Sequence, residues 1–475
     1  MKKNTILSMI VLMHVYAFSQ SYGADLPNGK GMKELQNFPK IAKILMNNGM
    51  YFTAVPFIKE YISSKEDINT KQVDQIIDEL VTFVGVKQFE ILPKKILARS
   101  NAPIIRYILA KKLFRHKKYS QALKTLEQKT PENHSIMPFS LMLKGSIYSV
   151  SGKYKKSINS FKRCIEISNK QLSNVFNKVK KRQLEINRDS CLVGIARSQF
   201  ANKKHGIAHL SYLDLSKKSH LWPEILFEEA WNSFYLKDYN RTLGKLVTYK
   251  SPFFSHIFNP EIAVLRTLTY YKLCYWNDAL KEVESFYKKY EIESKGIKKL
   301  LKKHGANYIF YYEAAKKRFK GNETKNILYN RILHSISRDS TFQELFDTYI
   351  DGRAEAQKLK TLNRGGTKRA LEVALKEALN MQRNILGAYV RKNIKFHLRQ
   401  LDKAFQGMSY IKLQVIALKK RELYAEGKKV ALERARGGVE QLARNDKQYF
   451  WNFVGEFWAD ELGDYVFALE SECKR

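Results

Sequence analysis

The sequence predicts an all-α protein, a solenoid of paired short helices followed by long helices. Three observations predict it. All ten prolines lie at or before Pro260, and because proline interrupts helix interiors and marks helix starts, helices should be short up to that point and long after it. An aromatic followed three places on by a small residue and then an apolar one recurs at Tyr119, Tyr154, Tyr239 and Trp276. Finally, Ile394, Leu398, Leu401, Phe405, Met408, Ile411, Val415 and Leu418 repeat at intervals of three and four, the seam of a coiled coil or a long helical hairpin.

Residues 1–23 read as a secretory signal. Lys2 and Lys3 precede the apolar run from Ile6 to Met13, and His14 and Gln20 interrupt it before it reaches the roughly 20 apolar residues a membrane-spanning helix needs. Ser21 and Gly23 suit a cleavage site after Gly23, Ala17 and Ser19 one after Ser19. An uncut N-terminal anchor is the competing reading. The mature chain is expected in the periplasm, and it starts with an N-terminal helical region over 24–102.

Residues 103–290 carry the recurring unit, with a degenerate copy at Lys204-His205-Gly206-Ile207-Ala208-His209. The fullest copy runs from Pro138 to Ser168, with Gly145 and Tyr148, then Gly152 and Tyr154, then Ser157, Phe161 and Cys164. In these residues the chain resembles the tetratricopeptide-repeat (TPR) family. It departs from the family at Lys144, where leucine is usual, and in lacking the closing proline. The resemblance implies an α-solenoid in which two antiparallel helices meet at Gly145 and Ser157 while Tyr148 and Phe161 fill the space between them. It also implies a partner-binding groove formed by the first helix of each repeat. Phe227, Trp231, Phe234 and Tyr235, then Leu268 and Tyr271, are the positions expected to face it. Cys164 falls at a small buried position and reads as a core thiol. With Cys191, Cys274 and Cys473 it makes four cysteines, too few for a disulfide framework; one bridge suits an oxidising compartment, and spacing does not pair them.

Residues 291–445 read as long basic helices. Between Asp351 and Phe450 there are 23 Lys and Arg against 10 Asp and Glu, and Gly365-Gly366 and Gly437-Gly438 read as breaks. The last segment, 446–475, is aromatic and acidic. Its run Phe453-Val454-Gly455-Glu456-Phe457-Trp458-Ala459-Asp460-Glu461-Leu462-Gly463 is similar to the closing motif of large exported TPR proteins of delta-proteobacteria, some associated with gliding motility. Trp451 and Trp458 join the candidate binding residues on this basis.

Catalytic signatures are weak. Glu456 and Asp460 would share a face of a helix, an arrangement that invites a glycosidase pair, but a terminal segment of this composition suits docking onto the solenoid better. His205 and His209 have the spacing of a metal pair, yet Gly206 stands where a zinc protease has glutamate. No nucleophile elbow, phosphate-binding loop or dinucleotide fingerprint is present in the sequence. The reading is therefore of a non-enzyme with no cofactor or metal. Its net charge of +38 calls for anionic counterparts, and export points away from nucleic acid toward other envelope proteins, anionic envelope polymers or lipid headgroups. A protein-binding scaffold of an envelope assembly is the leading expectation, and a protein that binds envelope polysaccharide or cell wall is the alternative.

Overall fold

The computed structural model describes residues 26, 31–64, 70–127, 130–362, 365–425, 442, 445 and 448–473. The signal read over 1–23 and the break at Gly437-Gly438 lie outside them. The described residues form nineteen α-helices and no strand, and none of these helices is long and apolar enough to cross a membrane. The chain divides into two compact units. One comprises residues 1–194 and 340–387, the other 195–339 and 388–475.

The first unit begins with α1 (Phe38–Asn47), α2 (Tyr51–Ser63) and α3 (Thr70–Val84), the short turns α4 (Lys87–Glu90) and α5 (Lys94–Leu97), and two helix pairs. The pairs are α6 (Pro103–Arg115) with α7 (Tyr119–Glu127), and α8 (Met137–Val150) with α9 (Tyr154–Leu172). Helix α10 (Lys178–Ala201) carries the chain from the first unit into the second. Later in sequence α18 (Ser340–Lys360) and the first part of α19 (Gly366–Ala425) return to the first unit. Leu359, Leu371 and Leu375 join Ile41, Leu45, Ile77 and Ile104 in one core. No side chain of α2 caps its own N-terminus. The buried Glu355 carboxylate of α18 does so instead, accepting hydrogen bonds from Phe52 N at 2.7 Å, Thr53 N at 2.9 Å and Thr53 Oγ1 at 2.7 Å. That satisfies donors which every helix start leaves open.

The second unit pairs α11 (His205–Leu213) with the end of α10, α12 (Trp222–Tyr235) with α13 (Tyr239–Val247), α14 (Glu261–Lys272) with α15 (Trp276–His304), and α16 (Tyr308–Phe319) with α17 (Ile327–Arg338). One turn recurs in five of the pairs across the two units. Lys117, Gly152, Lys203, Lys237 and Cys274 all have φ between 59° and 71°, and each is followed two places on by the first residue of the second helix. The amide just after each closes the turn: Lys118, Lys153, Lys204, Asp238 and Tyr275 donate back five residues to the carbonyls of Leu113, Tyr148, Gln199, Ser233 and Tyr270 at 2.9–3.0 Å. This is a Schellman closure. The aromatic of the sequence pattern therefore opens the second helix rather than sitting in the turn, and the small residue three places on, Ala122, Ser157, Ala208, Thr242 or Ala279, is fully buried. The fold is a TPR-like helical repeat.

The short-then-long expectation needs one correction. Helices α16 and α17 have 12 residues each although no proline is near. Gly305 and Gly321, both at positive φ, and the capping side chains of Asn307 and Asn326 end and restart the chain there, so glycine and asparagine take over the punctuation. The boundary expected at 290 lies inside the 29-residue α15.

Helix α19 is a single helix of 60 residues, and in the second unit its apolar seam faces the repeats. Ile411 and Val415 are buried with Ala279, and Val264, Leu268 and Tyr271 pack against them. A coiled-coil partner is thus replaced by α14 and α15. On the same helix His397 lies edge-on to Phe258, with ring centroids 5.5 Å apart. Burial drives its imidazole down from 6.5 to about 4. The unfolded chain takes up this proton at higher pH than the folded one, so the stabilisation is complete above about pH 6.5 and declines as pH falls toward 4. Linkage gives a loss of about 2 kcal/mol by about pH 5. Denaturant titrations across this range should show that component in the wild-type chain and not in His397→Phe.

Candidate functional site

The candidate surface belongs to the second unit and is built on α12. Its aromatics fall at Phe227, Trp231, Phe234 and Tyr235, one stripe of a helix, but their environments differ. Phe227 is buried with Ala230, Leu246 and Leu265, while Trp231 and Phe234 are half-buried against that cluster. Tyr235 is 54% exposed. From Tyr239 the rings run in contact through Phe234, Trp231 and Tyr235, at centroid distances of 5.4, 5.7 and 6.0 Å. Tyr235 then stacks on His205 at 5.0 Å and meets Phe200 edge-on at 5.6 Å.

His205 is therefore a packing residue. Its Nδ1 lies 3.2 Å from Asn232 Oδ1, and the Asn232 amide donates to the His205 carbonyl at 2.9 Å. Three ion pairs tie the helices together. Arg197 of α10 donates to Glu228 at 2.6 Å and Glu224 at 2.7 Å, and the buried Lys245 ammonium of α13 meets Glu229 at 2.6 Å. Helix α11 leaves Ile207, Leu210 and Leu213 exposed at intervals of three.

Two further expected groove positions, Leu268 and Tyr271, are half-buried, packed against the cluster that holds Ile411 and Val415 of α19, because the same apolar seam that reads as a coiled coil finds its complement in the repeats. With Phe227 buried, the accessible part of the predicted stripe reduces to Tyr235 and the edges of Trp231 and Phe234.

The C-terminal segment supplies a second exposed apolar patch in the same unit. It is irregular and turn-rich rather than helical, so Glu456 and Asp460 do not share a helix face. One side of it is fixed to the unit. Phe457, Leu462 and Tyr465 pack with Leu226, Phe254 and Trp222, and Phe467 and Leu469 with Leu243, Leu273 and Tyr275. Backbone bonds follow. Phe467 N donates to Asn240 O at 3.2 Å, Glu472 N to Leu273 O at 3.0 Å, and the Asn240 side chain both donates to Leu469 O and accepts from Leu469 N. Cys473 completes the attachment through a disulfide to Cys274, 199 residues away in sequence. Tyr449, Trp451, Val454 and Trp458 of the same segment are exposed, Trp451 by 71% and Trp458 by 58%, and so is Phe453, whose ring also meets Phe457 and Tyr465.

The other bridge, Cys164–Cys191, joins α9 to α10. Cys164 is not the core thiol its position suggests. Both sulfurs are fully buried, and nothing in the local pattern of either helix reveals the pairing.

No family model matches the chain, and no curated protein matches it. Among solved structures it is similar to the apo form of RapI, at 12% identity and a TM-score of 0.34 over 74% of this chain and 98% of that one. It is also similar to a Rap protein complexed with competence and sporulation factor, at 13% identity and a TM-score of 0.32 over 75% of this chain and 99% of that one.

Proposed function

We propose that this chain is a non-enzymatic periplasmic scaffold that holds partner proteins in an envelope assembly; its closing motif is similar to that of large exported TPR proteins, some of them associated with motility. The observation that carries this reading is the C-terminal segment. Part of it is bonded, packed and disulfide-linked to the repeats, while five of its large apolar residues stay exposed. Apolar surface of this kind is costly to leave uncovered, and tryptophan and tyrosine dominate protein interfaces. Tyr235 and the exposed edge of α11 supply further apolar contact area. Two disulfides support export, because such bonds persist in oxidising compartments.

The test is capture from the native cell envelope with Trp451→Ala and Trp458→Ala. Both residues are more than half exposed, so truncation should cost less than about 0.5 kcal/mol in stability yet weaken partner capture by about 2 kcal/mol, roughly thirtyfold. Unchanged capture with a lowered melting temperature would make them packing residues and sink the proposal. If the variants instead lose salt-sensitive binding to purified peptidoglycan or lipopolysaccharide, the surface serves an envelope polymer.

A further inference from the structure

Helix α19 has a second face in the second unit. Opposite the seam that lies on the repeats, Arg399, Lys403, Gln406, Tyr410, Leu413 and Ala417 recur at intervals of three and four, and all are exposed. Lys392 and Lys395 continue this stripe at one end and Arg421 at the other, over about 43 Å at 1.5 Å per residue. Its apolar part is concentrated. Tyr410 is 64% and Leu413 67% exposed, and Ile416 beside them is nearly half exposed, apolar surface that marks a site of interaction.

The charge on this face has one sign. From Lys392 to Arg421 there are eight Lys and Arg and one acidic residue, Asp402, whose carboxylate is held by Lys298 of α15 at 2.6 Å. On the flanking helices Glu282 and Glu291 are likewise taken, by Arg266 and Lys295. Asp278 follows Asn277, which accepts from Lys419, so the last turn of the stripe has a carboxylate close by. The unmatched charge is therefore that of Lys392, Lys395, Arg399 and Lys403. Among the described residues no ion pair joins these four to a carboxylate, the remaining ones of α14 and α15, Glu261, Glu284 and Glu293, included.

We propose that this face of α19 docks on an anionic lipid bilayer. Tyr410, Leu413 and Ile416 enter the headgroup region, and Lys392, Lys395, Arg399 and Lys403 lie against lipid phosphates. Composition favours lipid over an acidic protein. Six of the eight cations are lysine, a residue depleted at protein interfaces whose long stem can cross apolar surface and keep its charge among headgroups. The stripe is also one helix wide, which suits a plane of headgroups better than the compact patch of about 800 Å² that a protein partner covers. A soluble polyanion would match the lysines and leave Leu413 and Ile416 bare. This docking stands apart from the C-terminal segment, and an unchanged capture by the Trp451 and Trp458 variants leaves it intact.

The test is co-sedimentation of the full chain with vesicles of phosphatidylcholine alone, and of phosphatidylcholine and phosphatidylglycerol in equal parts. Binding is expected to the mixed vesicles only, and high salt should weaken it, because exposed charges are screened. The triple variant Lys395→Gln, Arg399→Gln and Lys403→Gln should bind about a hundredfold more weakly, roughly fivefold per cation. Tyr410→Ser with Leu413→Ser should lose about tenfold, and Tyr410→Phe with Leu413→Met, which keep the apolar surface, should bind as the wild type does. A control removes equal charge elsewhere, through Lys153→Gln, Lys155→Gln and Lys156→Gln at exposed positions of the first unit, and should bind almost as well as the wild type. Equal binding to both kinds of vesicle, or binding to neither, overturns the proposal. So does a control that loses as much as the stripe variant, because net charge is then the whole cause. Undiminished binding of the serine variant overturns it as well, and stripe variants that lose capture of an acidic protein while still binding vesicles assign the face to that protein instead.

Discussion

Gly244→Ala is expected to dislodge the C-terminal segment from the second unit. A Cβ at this position of α13 would lie 1.7 Å from the Tyr465 carbonyl oxygen, 2.3 Å from its carbon and 2.8 Å from Val466 Cα. These are backbone atoms, which have no rotamer to retreat into. The flanking contacts cannot yield either, because Gly463 N donates to Thr248 Oγ1 at 3.2 Å on one side and Asn240 clamps Leu469 on the other. Overpacking of this severity should cost about 3 kcal/mol or more. Hydrogen exchange locates the effect. The amides of Gly463, Phe467 and Leu469 should lose protection while α13 itself, a good helix with an Asp238 cap, retains it. The Cys274–Cys473 bridge keeps the freed segment tethered, so the loss is one of docking and not of covalent attachment. Retained protection at all three amides would mean that α13 and the segment approach less closely than these distances require.

The second large effect is expected at Gly145. Its missing side chain makes room for the Phe161 ring, which would lie 2.7 Å from a Cβ there, and Gly194 of α10 takes the opposite side of the same ring at 2.6 Å. The ring is held between two glycines from two helices. Ser157 Oγ meanwhile donates to the Gly145 carbonyl at 2.9 Å, which fixes the backbone from below. Gly145→Leu should therefore cost about 3 kcal/mol or more, at or above the upper end of overpacking penalties. Gly194→Leu should cost a similar amount, and the double variant less than the sum, since both displace one ring. Thermal or denaturant unfolding of the three variants checks this. Fully additive costs would show that the two glycines do not share Phe161.

What the sequence by itself determined is local. Helix pairing, the small residues at Ser157, Thr242 and Ala279 and the position of each turn follow from side-chain size at helical spacing, which acts between neighbours in the chain. The left-handed turn residues were less legible, because four of the five are lysine or cysteine rather than glycine; the closure is imposed by the packed helices on either side, which offset the steric cost of that backbone. In the candidate surface, the α12 stripe was readable as an apolar face, but not which of its members faces water. Phe227 is withdrawn by Leu246 and Leu265, and Leu268 and Tyr271 are partly covered by a helix some 140 residues downstream.

Only the tertiary structure decided the rest, for one physical reason. An apolar seam such as Leu401, Met408, Ile411 and Val415 specifies that it must be covered and says nothing about what covers it, so hydrophobic periodicity reads as a coiled coil or a long helical hairpin where the cover in the second unit is the repeats. The cysteine pairs, the Glu355 cap on α2 and the docking of Phe467 and Leu469 are likewise contacts between residues 27 to 303 apart. Each depends on where the backbone has already been carried, and no local pattern of residues encodes it.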